Sequence, residues 1–145
     1  MTSTTKLISP VDGSVYAERS FASQLDIESA LSSAQHAQEK WKHTSVAERA
    51  EYCLAIVDAM LAMKDEIVPE LAWQMGRPIR YGAGELRGFE ERARYMISIA
   101  AQALADIEIT EKPGFKRYIR REPLGTVFVV APWNYPYLTA VNSII

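Results

Sequence analysis

The chain has 145 residues and a formal net charge of −2 at pH 7, which fits one ordinary domain and excludes a global pull toward nucleic acid or an anionic membrane. A hydrophobic share of 48% against 23% charged residues excludes intrinsic disorder and leaves enough apolar material for a core. The single cysteine, Cys53, excludes an internal disulfide and a multi-cysteine metal site.

The opening "MTSTTKLISPVDGS" lacks the basic start and continuous apolar core of a signal peptide, so a cytoplasmic protein is expected. No window approaches the roughly 20 apolar residues needed to span a bilayer. "KLISPVDGSVYAE" reads as two extended pieces around a turn at residues 10–13, where Pro10 and the Asp12-Gly13 pair punctuate the chain. A hairpin-like arm over residues 1–25 follows. From Asp26, expected as an N-cap, the period becomes helical, with Ile27, Ala30, Leu31, Ala34 and Trp41 on one face.

Ser45-Val46-Ala47-Glu48 has the spacing of a capping box and opens a second helix. Its core face is Ala50, Cys53, Leu54, Val57 and Leu61. A third helix is expected over Lys64–Met75, with Asp65 and Glu66 in its first turn, where the helix dipole favours carboxylates. Pro69 either sits at the edge of that turn or kinks the helix. Gly76, followed by Arg77-Pro78, is a stop signal. A long fourth helix then turns Leu86, Phe89, Ala93, Met96, Ile97, Ala100 and Leu104 inward and Glu85, Arg87, Glu90, Glu91, Arg92 and Arg94 largely outward.

After Pro113-Gly114, the charged stretch "FKRYIRR" predicts an exposed edge strand, protected by charge from unwanted pairing. "GTVFVVAP" predicts a strand buried on both faces, as in a parallel sheet covered by helices, and residues 139–145 predict the start of another helix. The fold class is therefore α/β. A strand with two apolar faces needs parallel neighbours, and this chain offers no second such strand. The chain is expected to be either truncated or completed by another polypeptide.

The stretch "APWNYPY" leaves that strand at its carboxyl end, where open α/β sheets bind ligands. Pro132 and Pro136 restrict the backbone on both sides of Trp133-Asn134. An Asn held this way can aim its amide N–H at a developing oxyanion. Alternatively, it is a turn residue bonding its own backbone, with Trp133 plugging the core.

"EPLGTVFVVAPWNYP" closely resembles the motif P-x-G-x-x-x-x-I-x-P-W-N-[FY]-P of the NAD(P)-dependent aldehyde dehydrogenase superfamily. Pro123, Gly125, Pro132, Trp133, Asn134, Tyr135 and Pro136 match in register, and Val130 stands where the motif has isoleucine. "ISPVDGSVYAE", "AQEKWKHTSVAERAEYCLAIVDAML" and "MGRPIRYGAGEL" are similar to earlier family segments, so the resemblance covers nearly the whole chain. It implies the N-terminal portion of the aldehyde dehydrogenase fold: a helical part of the cofactor-binding domain over residues 26–109, an edge and oligomerisation strand over 110–122, and the first core strand of a Rossmann-like domain with its loop over 123–145.

The resemblance further implies oxidation of a small-molecule aldehyde to its acid with NAD or NADP. A cysteine attacks the aldehyde to give a thiohemiacetal, hydride leaves for the nicotinamide, and water activated by a glutamate releases the acid. It transfers the role of substrate-oxygen donor to Asn134. Val130, Ala131, Pro132 and Trp133 are implied along the cofactor, and Tyr135 and Leu138 on the aldehyde tunnel. A homodimer or homotetramer is implied for the full-length protein. The family's cysteine, glutamate base, ribose-binding lysine and glycine-bearing cofactor turn belong to later sequence, so the chain alone is expected to be inactive. An acylating semialdehyde dehydrogenase and a non-catalytic partner of a full-length subunit are the alternatives.

Cys53, on an apolar helical face with no neighbouring base, reads as a structural thiol. His36 and His43 are too sparse for a metal site and read as solvent-facing. Glu85, Glu90 and Glu91 read as a solvated helix flank. Gly82-x-Gly84 lacks the preceding strand of a dinucleotide fingerprint. Trp41 and Trp73 read as core or helix-contact residues.

Overall fold

The computed structural model describes residues 3–145. It begins with an antiparallel hairpin of β1 (Thr4–Ile8) and β2 (Val15–Ser20). Its turn closes through the Ser9 and Gly13 amides, which donate to the carbonyls of Ser14 and Ser9 at 2.8 and 2.9 Å, and Gly13 takes the positive φ of 77° that the turn requires. Two contacts dock the hairpin. The buried Ser9 hydroxyl donates to the Trp73 carbonyl at 2.7 Å, and the Tyr16 hydroxyl donates to Glu70 Oε1 at 2.6 Å.

Four helices follow: α1 (Gln24–Trp41), α2 (Val46–Ala62), α3 (Lys64–Met75) and α4 (Ile79–Ala103). The first starts earlier than expected. Ser23, not Asp26, is the N-cap: its hydroxyl accepts from the Asp26 amide at 3.2 Å, while Asp26 accepts from the Ser23 amide at 2.8 Å. This reciprocal box places Asp26 at the third helical position and satisfies two orphan donors where a lone Asp26 cap would satisfy one. The Ser23 hydrogen bonds hold the Asp26 carboxyl below its usual range. Ser45 caps α2 as expected, accepting from the Glu48 amide at 3.2 Å.

Pro69 lies inside α3, beyond the first turn, so one internal backbone bond is absent there. The helix ends on Gly76, left-handed at φ 76°, whose amide donates to the Ala72 carbonyl at 2.9 Å. The core sits where α2, α3 and α4 meet α5 (Pro136–Ile144). Val57, Phe89, Ala93 and Val141 form one cluster and Ile67, Leu71 and Leu86 another, with Met60, Leu61 and Tyr137 touching both. Gly82 permits the approach of α3 to α4, since a Cβ there would lie 2.7 Å from Val68 Cγ1. That close packing accounts for this glycine without a nucleotide.

Three elements depart from expectation. First, α1 buries none of its residues: Ile27 and Leu31 on its apolar face are 45% and 55% exposed. Trp41 and Trp73 are each 40% exposed, which removes them from the core, although Trp41 tilts against Tyr52 at 5.6 Å between ring centroids. Second, the expected edge strand is only β4 (Tyr118–Ile119), paired antiparallel with β3 (Ile107–Glu108). Third, residues 120–132 are in neither helix nor strand, and Leu124 and Phe128 are 95% and 90% exposed. The apolar pattern of "TVFVV" encodes burial, but a strand acquires its hydrogen bonds and cover from neighbours, and the described residues supply none to this segment.

Candidate active site

Residues 131–135 connect the exposed segment to α5, and Pro136 occupies the first turn of that helix, where its missing amide costs nothing. The helix has no side-chain cap of its own: Tyr135 stands at the N-cap position. Its free amides need an acceptor from elsewhere in the fold. Glu85 of α4 supplies it, accepting from the Tyr137 and Leu138 amides through Oε1 at 2.9 and 3.5 Å.

Sequence reasoning placed Glu85 on the solvated flank of α4, whereas the residue is 2% exposed. The reason is helical spacing, because positions 85, 89 and 93 form one i, i+4, i+8 stripe and Phe89 and Ala93 are core. A buried carboxylate requires a partner. Arg77 Nη1 lies 2.5 Å from Glu85 Oε2. Gly76 and Pro78 flank Arg77 and fix the backbone that presents it, and its other terminal nitrogen, Nη2, donates to the Asn134 carbonyl at 2.7 Å. The guanidinium carbon also lies 4.2 Å from the centroid of the Tyr135 ring, a cation–π distance.

The residues singled out from sequence do not all face one space. Asn134 and Tyr135 line a cleft of about 500 Å³ with Gly76, Arg77, Tyr81 and Glu85. Trp133 lines a different one, of about 460 Å³, with Leu7, Glu70, Leu71, Pro136 and Tyr137. Leu138 is half-buried and faces α4, where a Cβ on Gly88 would lie 3.1 Å from its Cδ1. Val130 and Trp133 are 77% and 75% exposed, with Pro132 also exposed and Ala131 half-buried between them. Trp133 therefore does not plug the core. Asn134 is exposed, anchored through its backbone carbonyl, and its side chain makes no bond to its own backbone among the described residues.

Burial, then the negative charges of Glu85 and Glu70, pushes the Tyr137 hydroxyl above the usual phenol value. Cys53 lies elsewhere, in a cavity of about 160 Å³ lined by Trp41, Arg49, Ile97, Leu104 and Ile144. Burial pushes its thiol above the usual cysteine value, against a smaller opposing effect of the Arg49 charge. At pH 8 its alkylation by iodoacetamide should run slower than that of a free cysteine peptide, because less of the thiol is ionised, and should accelerate as pH rises. Alkylation at the peptide rate would show an unperturbed, accessible thiol instead, and a faster rate an activated one. His36 and His43 are both exposed, His36 on α1 and His43 in the turn after it. Among the described residues no three His, Cys, Asp or Glu side chains gather where they could hold a metal ion, and no helix is long and apolar enough to cross a membrane.

The model of the aldehyde dehydrogenase family matches residues 1–145, the whole chain. The chain belongs to the aldehyde dehydrogenase family. Among its curated relatives, aldehyde dehydrogenase B of Escherichia coli K12 is 33% identical over 135 residues, covering 92% of this chain and 26% of that protein. A succinate-semialdehyde dehydrogenase [NADP(+)] of Mycobacterium avium is 30% identical over 93% of this chain and 29% of its own length. Among solved structures, a NAD-dependent benzaldehyde dehydrogenase from Corynebacterium glutamicum superposes with a TM-score of 0.87 at 26% identity, over 98% of this chain and 31% of that one. The chain thus spans between a quarter and a third of the aldehyde dehydrogenases it matches.

Proposed function

We propose that this chain forms the N-terminal portion of an NAD- or NADP-dependent aldehyde dehydrogenase that oxidises an aldehyde to its carboxylic acid. Asn134 donates its side-chain N–H to the substrate oxygen as negative charge develops there. The observation that carries this reading is the anchoring of the loop: Asn134 is tied through its backbone carbonyl and Arg77, leaving its amide group free for a substrate. A donor fixed in advance costs no reorganisation when the oxyanion forms.

Val130, Ala131, Pro132 and Trp133 would lie along the dinucleotide. The fit rests on the exposure of Val130, Pro132 and Trp133 and on a backbone paired to no strand among the described residues, which leaves apolar surface and main-chain groups open to a ligand. When bound, the dinucleotide takes up the hydride released from the substrate. Tyr135, sharing a cleft with Asn134, and Leu138 would contribute to the wall beside the aldehyde. In this reading the nucleophilic cysteine and the base lie outside residues 1–145; Cys53 lines a cavity separate from the loop's clefts, which supports leaving it out of the chemistry.

The test is a paired assay of dinucleotide reduction with a panel of aldehydes. The 145-residue chain should show none, and the same chain joined to a family remainder bearing the cysteine and glutamate should oxidise at least one aldehyde. Activity in the isolated chain would relocate the chemistry, and an inactive but folded longer protein would sink the reading.

A second reading is a non-catalytic partner that associates with a full-length subunit in the cytoplasm. The exposure of Leu124, Val127, Phe128 and Val130 favours it, because four large apolar side chains on one short segment are a surface that another polypeptide would cover. Native mass measurements with and without a full-length homologue distinguish a stable mixed oligomer from a chain that ignores the subunit.

A further inference from the structure

We infer that Arg77 and Glu85 are positioning residues for Asn134. Together they fix the loop and the first turn of α5 against α4, so that the Asn134 side chain projects from an immobile base. The inference rests on the reading of Asn134 as the oxyanion donor and supplies the part that reading lacks, namely what holds the donor still.

The pair touches almost every residue of the loop's exit. Arg77 Nη2 donates to the carbonyl of Asn134 and its guanidinium covers the ring of Tyr135. Glu85 accepts from the amides of Tyr137 and Leu138, and Pro136, directly before them, has its φ restricted by its own ring. Residues 134, 135, 137 and 138 are therefore all held by two side chains, and those two are held by each other.

A stabilising role alone accounts poorly for this arrangement. The Glu85 side chain is 0% exposed and that of Arg77 9%, so both charges have left water. The desolvation cost of such a pair commonly cancels its attraction, and replacement by apolar side chains of similar size is often neutral or favourable. What the ion pair adds is geometry. A planar guanidinium can span a carboxylate and a carbonyl at fixed angles, whereas a lysine ammonium is a point charge on a flexible stem. The carboxylate places negative charge at the amino-terminal end of α5, where the helix dipole favours it. Orientation matters at this point of the chain because a misplacement of about 1 Å in a catalytic constellation can cost about 10²-fold in rate.

The experiment is a double-mutant cycle in the active longer protein, using Arg77→Lys, Asn134→Ala and the double variant. Arg77→Lys keeps the charge beside Glu85 but loses the planar reach to the Asn134 carbonyl. It should lower kcat by about 10-fold or more with KM changed less than about threefold, and should add less than about twofold in the Asn134→Ala background. Multiplicative effects in the two backgrounds, or an unchanged kcat in Arg77→Lys beside an impaired Asn134→Ala, would overturn the inference. Glu85→Gln retains an acceptor for the two amides while releasing Arg77, and should reproduce the kcat loss of Arg77→Lys.

A second measurement needs no variant to fold. In the unmodified 145-residue chain, amide hydrogen exchange at Tyr137 and Leu138 should be at least about 10-fold slower than in an unstructured peptide. Exchange at the peptide rate would show that Glu85 does not hold the turn and would overturn the inference. If Asn134→Ala leaves kcat intact while the amides are protected, the oxyanion reading fails by itself and Arg77 is not its positioning residue.

Discussion

Replacement of Asn134 by alanine in the active longer protein is expected to lower kcat by about 10²- to 10³-fold, with a much smaller change in KM. The side chain is exposed and adjoins a cleft, and the residue's tie to the fold runs through its carbonyl, which alanine also possesses. The Arg77 contact therefore survives the substitution. Folding and loop position should be preserved, so the loss reports the N–H donor. Binding of the neutral aldehyde gains little from that donor, while the charged transition state gains much, which is why kcat falls more than KM rises.

Two controls make the result interpretable. Thermal unfolding of the variant should match the parent closely, since substitutions of exposed residues away from special features usually fall within about 0.5 kcal/mol. Asn134→Asp should be at least as impaired as Asn134→Ala, because a carboxylate has no N–H to donate and repels a developing oxyanion. A kcat unchanged in Asn134→Ala, with folding intact, would end the oxyanion assignment.

The local elements were legible where the signal was local. Ser45 caps α2, Gly76 is left-handed, and α3 runs between the expected bounds. Each of these depends on neighbours within a few residues, so the sequence carries its own context. The Ser23-Asp26 box was legible too in principle, but reading Asp26 as the cap overlooked a serine three positions earlier that uses the same carboxylate.

The site divided along the same line. The Pro132 to Pro136 motif located the loop and named Asn134 as a candidate, because prolines are sequence features; α5 starts at Pro136, three residues before the expected start. The contacts of Arg77 and Glu85 with the loop were not legible because they span 52 to 57 positions of chain, through bonds to Tyr137 and Asn134. One signal did point that way. A helix beginning at Tyr135-Pro136 has no Ser, Thr, Asp or Asn at the cap position, so its free amides demanded an acceptor from another element. Glu85, one turn before Phe89 on the buried stripe of α4, was the carboxylate with the right periodicity to provide it.

The two phenylalanines at 89 and 128 separate what a pattern promises from what the chain can bury. Both sit in apolar patterns, yet Phe89 is 6% exposed beside Val57, Ala93 and Val141, and Phe128 is 90% exposed. In urea unfolding of the 145-residue chain, Phe89→Ala should lose about 3–5 kcal/mol, the sum of lost transfer energy and a cavity that the surrounding helices cannot close. Against a total stability of about 5–15 kcal/mol for an ordinary domain, that loss removes between about a fifth and all of it. Phe128→Ala should change stability by less than about 0.5 kcal/mol, since its ring leaves water no more in the folded chain than in the unfolded one. In a longer protein whose further strands cover residues 120–132, the order changes: Phe128→Ala should then also cost several kcal/mol, because the same ring would be core. A large loss from Phe128→Ala in the 145-residue chain alone would mean that the segment finds cover within these residues or in a second copy. Repeating the measurement at several protein concentrations distinguishes those two, since only cover by a second copy strengthens with concentration.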